Sequence, residues 1–253
     1  MILQDLVAAL ELPASCRVDQ RIPKKLLIEN GVTTAADKRN ISEGIEEIQW
    51  VATLKFTSIG VPEYRDEIRE YLEIAVLHIA LRQDAKASRI AELTHRAVPY
   101  PILLLLTEQN QLTLSIAHIR WAQNEAGKVV LDGGLVAVDL NELTPALEVF
   151  SAFLQALSIT RQPRDNLRVL YQGWSDTLVA FQAAQITGVF TQSQTDEQAA
   201  ARRASLLACR ELEQQITALR TAAAKEKQLA RQVALNLEIK QLQAKQHIAS
   251  ALL

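Results

Sequence analysis

The stretch that decides the fold is Ser88–Leu106, which reads SRIAELTHRAVPYPILLLL. Ser88 is a typical N-cap residue, and the apolar residues after it recur at intervals of three and four, which predicts a helix of about three turns. Pro99 and Pro101 cannot continue that helix, and the run of isoleucine and leucine behind them predicts a buried strand. We therefore interpret His95, which lies near the end of the helix, as part of a helix-to-strand junction rather than as a catalytic group.

Extended segments lie on both sides of this junction. Residues 48–56 and 71–81 are rich in β-branched and aromatic residues, and both alternate sets in 71–81 are apolar, which predicts a strand covered on both faces. Residues 102–121 have the pattern of a hairpin, and 128–140 add one or two short strands. The sequence predicts an α+β fold with a mixed or antiparallel sheet of four to six strands, flanked by helices.

Helical patterns occupy both ends of the chain. Near the N-terminus, Asn30-Gly31 separates two short helices, the second capped by Thr33 or Thr34, in an arrangement that resembles a helix-turn-helix. Past Asn141 the strands stop, and Thr144-Pro145 is predicted to open a helix. The predicted segments are an N-terminal helical segment at 1–46, a sheet core at 47–140, a helical packing segment at 141–190 and a long coiled-coil-like helix at 195–253.

Composition narrows the class of protein. The 253 residues carry a net charge of −2, so the total charge does not favour a nucleic-acid or membrane protein. Cys16 and Cys209 lie far apart and form no CxxC pair, which argues against a disulfide framework or a zinc site. The N-terminal residues lack a basic stretch before an apolar run, and no segment is long enough to span a membrane. We expect a cytoplasmic protein without a metal or cofactor.

Basic residues in two places are candidates for binding DNA or phosphate. The first group lies on the two N-terminal helices and comprises Lys24, Lys25, Lys38 and Arg39. The second group lies at a helix end and a strand end and comprises His95, Arg96, His118 and Arg120. Leu112, Leu114, Ile116, His118 and Arg120 are predicted to share one face of a single strand. The competing interpretation is that the first group is a solvated surface and that the arginines of the second group pair with nearby carboxylates.

Catalytic motifs are weak. The chain contains no GxxxxGK[ST], GxGxxG or GxSxG motif. A divergent metal-dependent nuclease would have to use Asp66, Glu67 and Glu73, although the lysine expected after the last carboxylate is missing. A metal-independent nuclease would have to use His95 and His118. We therefore predict no catalytic residue, and favour a non-enzymatic role.

The tail carries a helical stripe of apolar residues that needs cover. The segment 195–253 contains no Gly or Pro, and its basic residues outnumber its acidic residues by nine to six. The residues predicted to form a partner interface are Leu212, Ile216, Leu219, Ala223, Val233 and Leu237. The same stripe suits a tail that folds back on itself, a homodimer, or assembly with a larger subunit.

Several stretches together resemble a known bacterial family. They are CRVDQRIPKK (16–25), DKRNISEGIEEIQWVATLK (37–55), EYLEIAVLHIAL (70–81), RIAELTHRAVPYPILLLL (89–106), LSIAHIR (114–120) and FQAAQITGVF (181–190). The resemblance spans roughly residues 5–190 and is to a family known only as a domain of unknown function. Its members are typically encoded beside helicase and DNA-methyltransferase genes in restriction and phage-defence islands. The resemblance implies an accessory subunit that works with a helicase or DNA methyltransferase of the same operon, and it implies no catalytic residues.

Overall fold

A computed structural model describes residues 3–31, 34–123, 128–140 and 147–253. Contacts between residues divide the chain into two compact units, Met1–Leu178 and Val179–Leu253. The predicted segment borders at residues 46/47 and 140/141 both lie inside the first unit. No helix of the described residues combines the length and apolarity needed to cross a membrane.

The strands of the described residues are β1 (Arg17–Arg21), β2 (Ile45–Lys55), β3 (Tyr64–Arg65), β4 (Glu70–Tyr71), β5 (Glu73–Leu81), β6 (Ile102–Glu108), β7 (Gln111–Ile116), β8 (Ile119–Trp121), β9 (Val129–Leu131) and β10 (Val136–Asp139). Six of them form one sheet in the first unit, in the order β1-β2-β5-β6-β7-β10. Every neighbouring pair in the sheet is antiparallel except β5 and β6, which are parallel. The predicted α+β class is confirmed, and of the two predicted sheet types, mixed or antiparallel, the structure has the mixed one.

Helices precede, link and follow the strands. Those of the described residues are α1 (Leu3–Ala9), α2 (Lys24–Gly31), α3 (Ala35–Gly44), α4 (Phe56–Ile59), α5 (Ala87–Ala97), α6 (Leu147–Ala156), α7 (Leu167–Thr187), α8 (Asp196–Lys225) and α9 (Leu229–Ser250). The cap predicted for the second N-terminal helix is confirmed, because Thr34 Oγ1 accepts a hydrogen bond from the amide of Asp37. The helix start predicted at Thr144-Pro145 lies outside the described residues.

The Ser88–Leu106 stretch forms the crossover between the two parallel strands. Two parallel neighbours start at the same end of the sheet, so the connection between them must run back from the end of the first strand to the start of the second. The helix α5 lies in that connection. The helix begins at Ala87 with Lys86 as its N-cap, two residues before the predicted cap at Ser88. It begins early because the carbonyl of Lys86 already accepts a hydrogen bond from the amide of Ile90.

Both faces of the central strands are buried. One face packs against α2, α3 and α5, with Ile79, Ile90 and Leu104 in a single apolar cluster. The alternate residues of the same strands, such as Val76 and Leu105, are also fully buried. The prediction that the 71–81 strand is covered on both faces is thus confirmed.

The chain leaves the main sheet after Ile116. The strand β8 pairs with β9 in a separate two-stranded sheet, and β3 pairs with β4 in another. The prediction that His118 and Arg120 continue the face of Leu112–Ile116 on one strand was wrong. His118 lies in the bend between β7 and β8, and the apolar alternation ends where the main-sheet pairing ends.

The strand β1 was not predicted. Each of its five residues is exposed, so it lacks the apolar alternation that marks a strand in a sequence. It pairs with β2 at the edge of the sheet, and the register shifts between Arg17 and Gln20. Asp19 has a positive φ of 48° in this irregular region.

The second unit contains a helical hairpin. The helices α8 and α9 are joined by Glu226–Gln228 and pack against each other in antiparallel orientation. Their direction follows from contacts at both ends of the pair, since Arg202 donates to the carbonyl of Leu253 and Gln232 donates to that of Ala223. The tail therefore contains a long helix, as predicted. The helical stretch is broken at Glu226–Gln228, where the chain turns and folds back on itself.

Candidate functional site

The two histidines of the predicted phosphate site have separate, internal partners. His95 lies on the inner face of α5 and is 1% exposed. Its Nε2 atom is 3.1 Å from the hydroxyl of Ser115 on β7, and burial lowers its pKa to about 3. A neutral, fully covered imidazole cannot meet a phosphate at the surface. His95 joins α5 to the sheet instead.

His118 belongs to an aromatic cluster. Its Nδ1 atom is hydrogen-bonded to the hydroxyl of Tyr71 at 2.5 Å, and its ring packs edge-on against Tyr171 with centroids 5.1 Å apart. Burial and then the positive charge of Arg168 lower the pKa of His118 to about 4. Burial also raises the pKa of Tyr71 far above its usual range. Both groups are neutral near pH 7, which suits a permanent hydrogen bond better than proton transfer.

Tyr171 connects α7 to the sheet. Its hydroxyl lies 3.1 Å from the amide nitrogen of Ala117, which donates to it, and it is within 2.9 Å of the carbonyl oxygens of Ile102 and Ala117. The side chain is fully buried, and burial raises its pKa well above the usual value. This contact holds the bend between β7 and β8 in place, and with it the ring of His118.

Arg120 lies beside a network of charges next to the aromatic cluster. Its Nε atom is 3.8 Å from Asp132, and Arg69 donates to the same carboxylate at 2.6 Å. Arg69 also lies 3.4 Å from Asp66. The guanidinium of Arg168 stacks over the ring of Tyr64 at 5.2 Å. Arg120 therefore already has a carboxylate partner, as the competing interpretation of the sequence predicted.

The carboxylates of the nuclease alternative are not brought together as a metal site. Asp66 accepts hydrogen bonds from the amides of Ile68 and Arg69, and these bonds help to lower its pKa to about 2. Glu73 pairs with Lys55 at 2.7 Å. Over the described ranges, no three histidine, cysteine, aspartate or glutamate side chains are grouped as metal ligands would be. The arrangement gives the nuclease alternative no support.

The helix α5 carries a second charged cluster on its outer face. Arg89 donates to both carboxylate oxygens of Asp37 on α3, at 2.8 and 2.7 Å, and to Glu92 at 2.7 Å. The Arg89 hydrogen bonds are the main reason that the pKa of Asp37 falls to about 2. Arg96 pairs with Glu92 at 2.8 Å. Arg96 thus lies about 100° around the helix from the buried His95, on the exposed side of α5.

A cavity of about 1260 Å³ lies alongside this cluster. Its walls come from the end of α2, the outer face of α5 and the segment from Lys128 to Leu135. Arg89 and Arg96 line it together with Glu29 and Glu92, so both signs of charge are present. An anion that entered would compete with carboxylates that already hold these arginines.

The N-terminal basic residues lie on two helices, as predicted, but most have local partners. Lys24 donates to the carbonyls of Ser42 and Ile45, and burial lowers its pKa. Two of the other three pair along their own helix: Lys25 lies 3.3 Å from Glu29, and Arg39 lies 3.8 Å from Glu43. Lys38 is exposed. DNA binding by this surface stays a prediction, and it would rest on Lys25, Lys38 and Arg39 because Lys24 has a structural role.

The predicted interface residues of the tail fall into two groups. Ile216 and Ala223 are buried, and Leu212 and Leu219 are half-buried. Val233 and Leu237 are 50% and 57% exposed. On α9 the side chains of Ile239, which is buried, and of Leu235 and Leu242, which are half-buried, are the larger apolar ones that are covered. The hairpin covers part of the predicted stripe and leaves the part on α9 uncovered.

Comparison with known proteins agrees with the resemblance seen in the sequence. A family model described as Domain of unknown function (DUF4391) matches residues 10–245. The chain belongs to this family. The match extends well past residue 190, where the resemblance noticed in the sequence ended, and includes most of the α8–α9 hairpin. No curated protein and no solved structure matches the chain.

Sequence reasoning missed most members of the aromatic cluster. Arg69 and Tyr71 lie two residues apart, but Asp132 and Tyr171 come from distant parts of the chain, and only the fold brings these groups to His118. A weak signal was available, since only 5% of residues are aromatic and three of the four tyrosines converge here. Their spacing of seven and a hundred residues carries no motif that would predict this.

Proposed function

We propose that this chain is a non-catalytic accessory subunit of a bacterial anti-phage or restriction-type complex that acts on DNA, and that its C-terminal helices carry the assembly. One observation supports it above the others: α9 leaves large apolar side chains in water, with Leu229 at 74% and Ile248 at 65% exposure. Each such side chain gains about 1.5–3 kcal/mol on full burial, so a helix that exposes several of them favours association.

The polar groups support the same proposal from the other side. The histidines and arginines considered for chemistry or phosphate binding are paired with side chains of the same unit, as described for His95, Arg96, His118 and Arg120. Catalytic groups need an accessible reacting atom and a tuned pKa. Neutral buried imidazoles and compensated arginines suit a stable body that presents a helical surface.

The proposed enzyme partner is a helicase or DNA-methyltransferase subunit encoded beside this chain. The family resemblance supplies this expectation, because its members are typically encoded with such enzymes. Co-expression of the tagged chain with those neighbours, followed by purification and identification of the retained subunits, tests the proposal. We expect stoichiometric retention of one of them.

The role of α9 in that assembly is tested with matched variants. Val233→Glu with Leu237→Glu places two carboxylates on the exposed apolar face and is expected to release the enzyme. Ala218→Glu with Ala222→Glu places the same charges, at the same spacing, on exposed positions of α8 and should leave retention unchanged. Absence of both enzymes from the wild-type preparation would contradict the proposed function.

A further inference from the structure

The small sheet of β8 and β9 has one edge that no other described strand pairs with. The amide of Asp132, directly after β9, donates to the carbonyl of His118 at 2.7 Å. Backbone groups alternate in direction along an antiparallel strand, so this bond turns the N–H and C=O groups of Val129 and Leu131 away from β8. Within the described ranges these outward groups have no hydrogen-bond partner.

The edge of β9 differs from the other exposed edges of the first unit. The outer edge of β8 is partly covered, because the amide of Trp121 donates to the carbonyl of Ile68 at 2.7 Å. The edge strand β1 has five exposed, mostly polar residues and an irregular register, which are features that prevent an edge from pairing with another chain. In contrast, β9 consists of two valines and a leucine in regular register with β8. It is therefore better suited than β1 to accept a further strand.

The cavity of about 1260 Å³ gives room beside this edge. All three residues of β9 line the cavity and are half-buried, so a molecule inside it can reach them. Another wall is the outer face of α5 from Ser88 to Arg96. These residues span about 12 Å of the helix axis, which is the length of roughly three to four extended residues. The size of the cavity therefore suits a short extended segment of chain.

The charges that line the cavity favour a peptide over a phosphate group. Glu29 and Glu92 lie beside Arg89 and Arg96, so a polyanion would meet two carboxylates. The side chain of Arg96 is 51% exposed and pairs, in the described part of the chain, only with Glu92, which also holds Arg89. An exposed ion pair contributes little to stability, so a carboxylate from outside can bind Arg96 while Glu92 keeps Arg89.

We propose that this cavity binds an extended segment of another polypeptide, which adds to β9 as a third strand and carries an acidic residue that pairs with Arg96. We call the site the β9 groove, and it comprises Val129–Leu131 and the Ser88–Arg96 face of α5. Main-chain hydrogen bonds to Val129 and Leu131 hold the segment, which is a common way for a sheet edge to recognise a peptide. The groove belongs to the first unit, so the inference goes beyond the proposed role of α9 and does not depend on it.

Selection from random peptides displayed on phage tests the groove without knowledge of the natural partner. Peptides that bind the Val129→Pro variant are removed first, and the remainder are selected on the wild-type full chain. Proline lacks the outward N–H but is tolerated at the first residue of a strand, so the variant should bind a selected peptide about tenfold or more weakly. Val129→Ile keeps the N–H and should bind it as the wild type does. Circular dichroism shows that each variant is folded.

Methylation of the peptide backbone is a second test, and it does not depend on the folding of a variant. One amide of the selected peptide is methylated at a time, which removes one donor. An added strand turns every second amide towards its neighbour, so binding should be lost at alternate positions and kept at the positions between them. A peptide that binds as a helix, or through its side chains alone, would show no alternation.

Reversal of charge tests the acidic residue. Arg96→Glu should abolish binding of the selected peptide, and a peptide with lysine in place of its acidic residue should bind this variant again. Arg39→Glu is the matched control, because Arg39 is also an exposed arginine paired with a glutamate of its own helix and lies outside the cavity. Its binding of the original peptide should be unchanged.

Three results would overturn the inference. They are a selection that enriches no peptide on the wild type, a methylation scan without alternation, and a short DNA or RNA oligonucleotide whose binding is lost in Arg96→Glu but kept in Val129→Pro, which would identify a phosphate site. These results are separable from failure of the proposed function. A chain that binds peptides but retains neither enzyme refutes only the complex, whereas a chain that retains an enzyme but binds no peptide refutes only the β9 groove.

Discussion

Replacing Tyr171 with phenylalanine removes one buried oxygen atom and tests how the body of the first unit is held together. The hydroxyl accepts a hydrogen bond from the amide of Ala117 at 3.1 Å and lies 2.8 Å from the carbonyl oxygen of Ile102. In the variant, the Ala117 amide is left in the core without this partner. The ring itself stays, so packing changes little.

The expected loss follows from the unpaired amide. Leaving a buried donor unsatisfied costs about 1–3 kcal/mol. For a unit of this size, each kcal/mol corresponds to about 2–4 °C in the melting temperature, so a loss of about 2 kcal/mol lowers it by roughly 4–8 °C. Urea unfolding followed by tryptophan fluorescence measures this directly, because Trp50, Trp121 and Trp174 all belong to the first unit.

Tyr100→Phe is the matched control. The ring of Tyr100 stacks against Trp50 with centroids 5.8 Å apart, and within the described part of the chain no residue is hydrogen-bonded to its hydroxyl. We expect its free energy of unfolding to change by less than about 0.5 kcal/mol. Equal stability of the Tyr171→Phe and Tyr100→Phe variants would refute the reasoning that Tyr171 holds the β7–β8 bend through its hydroxyl.

Three further predictions concern the same unit. Gly31→Ala should destabilise it by about 1–3 kcal/mol in urea unfolding, because the new Cβ would lie 2.5 Å from a side-chain atom and 2.8 Å from a backbone atom of α5. Stability should fall as the pH drops from about 6.5 through about 4, because the folded-state pKa of His118 is lowered and the unfolded chain binds the proton first. Arg89→Lys should lower the melting temperature, since lysine cannot donate to both oxygens of Asp37.

Each of these has its own check. Gly134→Ala is the control for Gly31, because nothing lies within 4 Å of its added Cβ, and an equal loss in both variants would contradict the steric argument. His118→Asn should make the acid loss of stability shallower, and an unchanged pH profile would assign that loss to other groups. A melting temperature unchanged by Arg89→Lys would show that the bidentate pair between α3 and α5 contributes nothing measurable.

Most of the fold could be predicted from the periodicity of apolar residues within short segments. A window of about ten residues is enough to predict the apolar run of β5, the proline-ended helix before β6 and the hairpin to β7. The α+β class and the helical tail follow from these local signals, whereas the choice between a mixed and an antiparallel sheet was left to the tertiary structure, which pairs β5 and β6 in parallel. The edge strand β1 was not predicted because its residues are all exposed, so the sequence shows no apolar alternation there. Its pairing with β2 is also irregular in register.

The candidate sites could not be predicted in the same way, because they depend on which side chains lie close together in space, and a single sequence does not give those distances. His95 and Arg96 are neighbours in the chain, yet helical rotation puts one in the core and the other beside Glu92. His118 was expected on a strand with Arg120, but the chain bends there and delivers it to Tyr71. Which polar groups are paired and which are free is a property of the packed structure.

The tail shows the same division between local pattern and tertiary packing. The sequence by itself determined that the residues after Asp196 are helical and carry apolar positions at intervals of three and four, because helix propensity and periodicity are local properties. Only the tertiary structure decided which of those positions are used within the chain. Ile216 and Ile239 are buried in a hairpin whose break at Glu226–Gln228 turns one helix onto the other, whereas Leu237 is left in solvent because a helix cannot turn two opposite faces towards one neighbour.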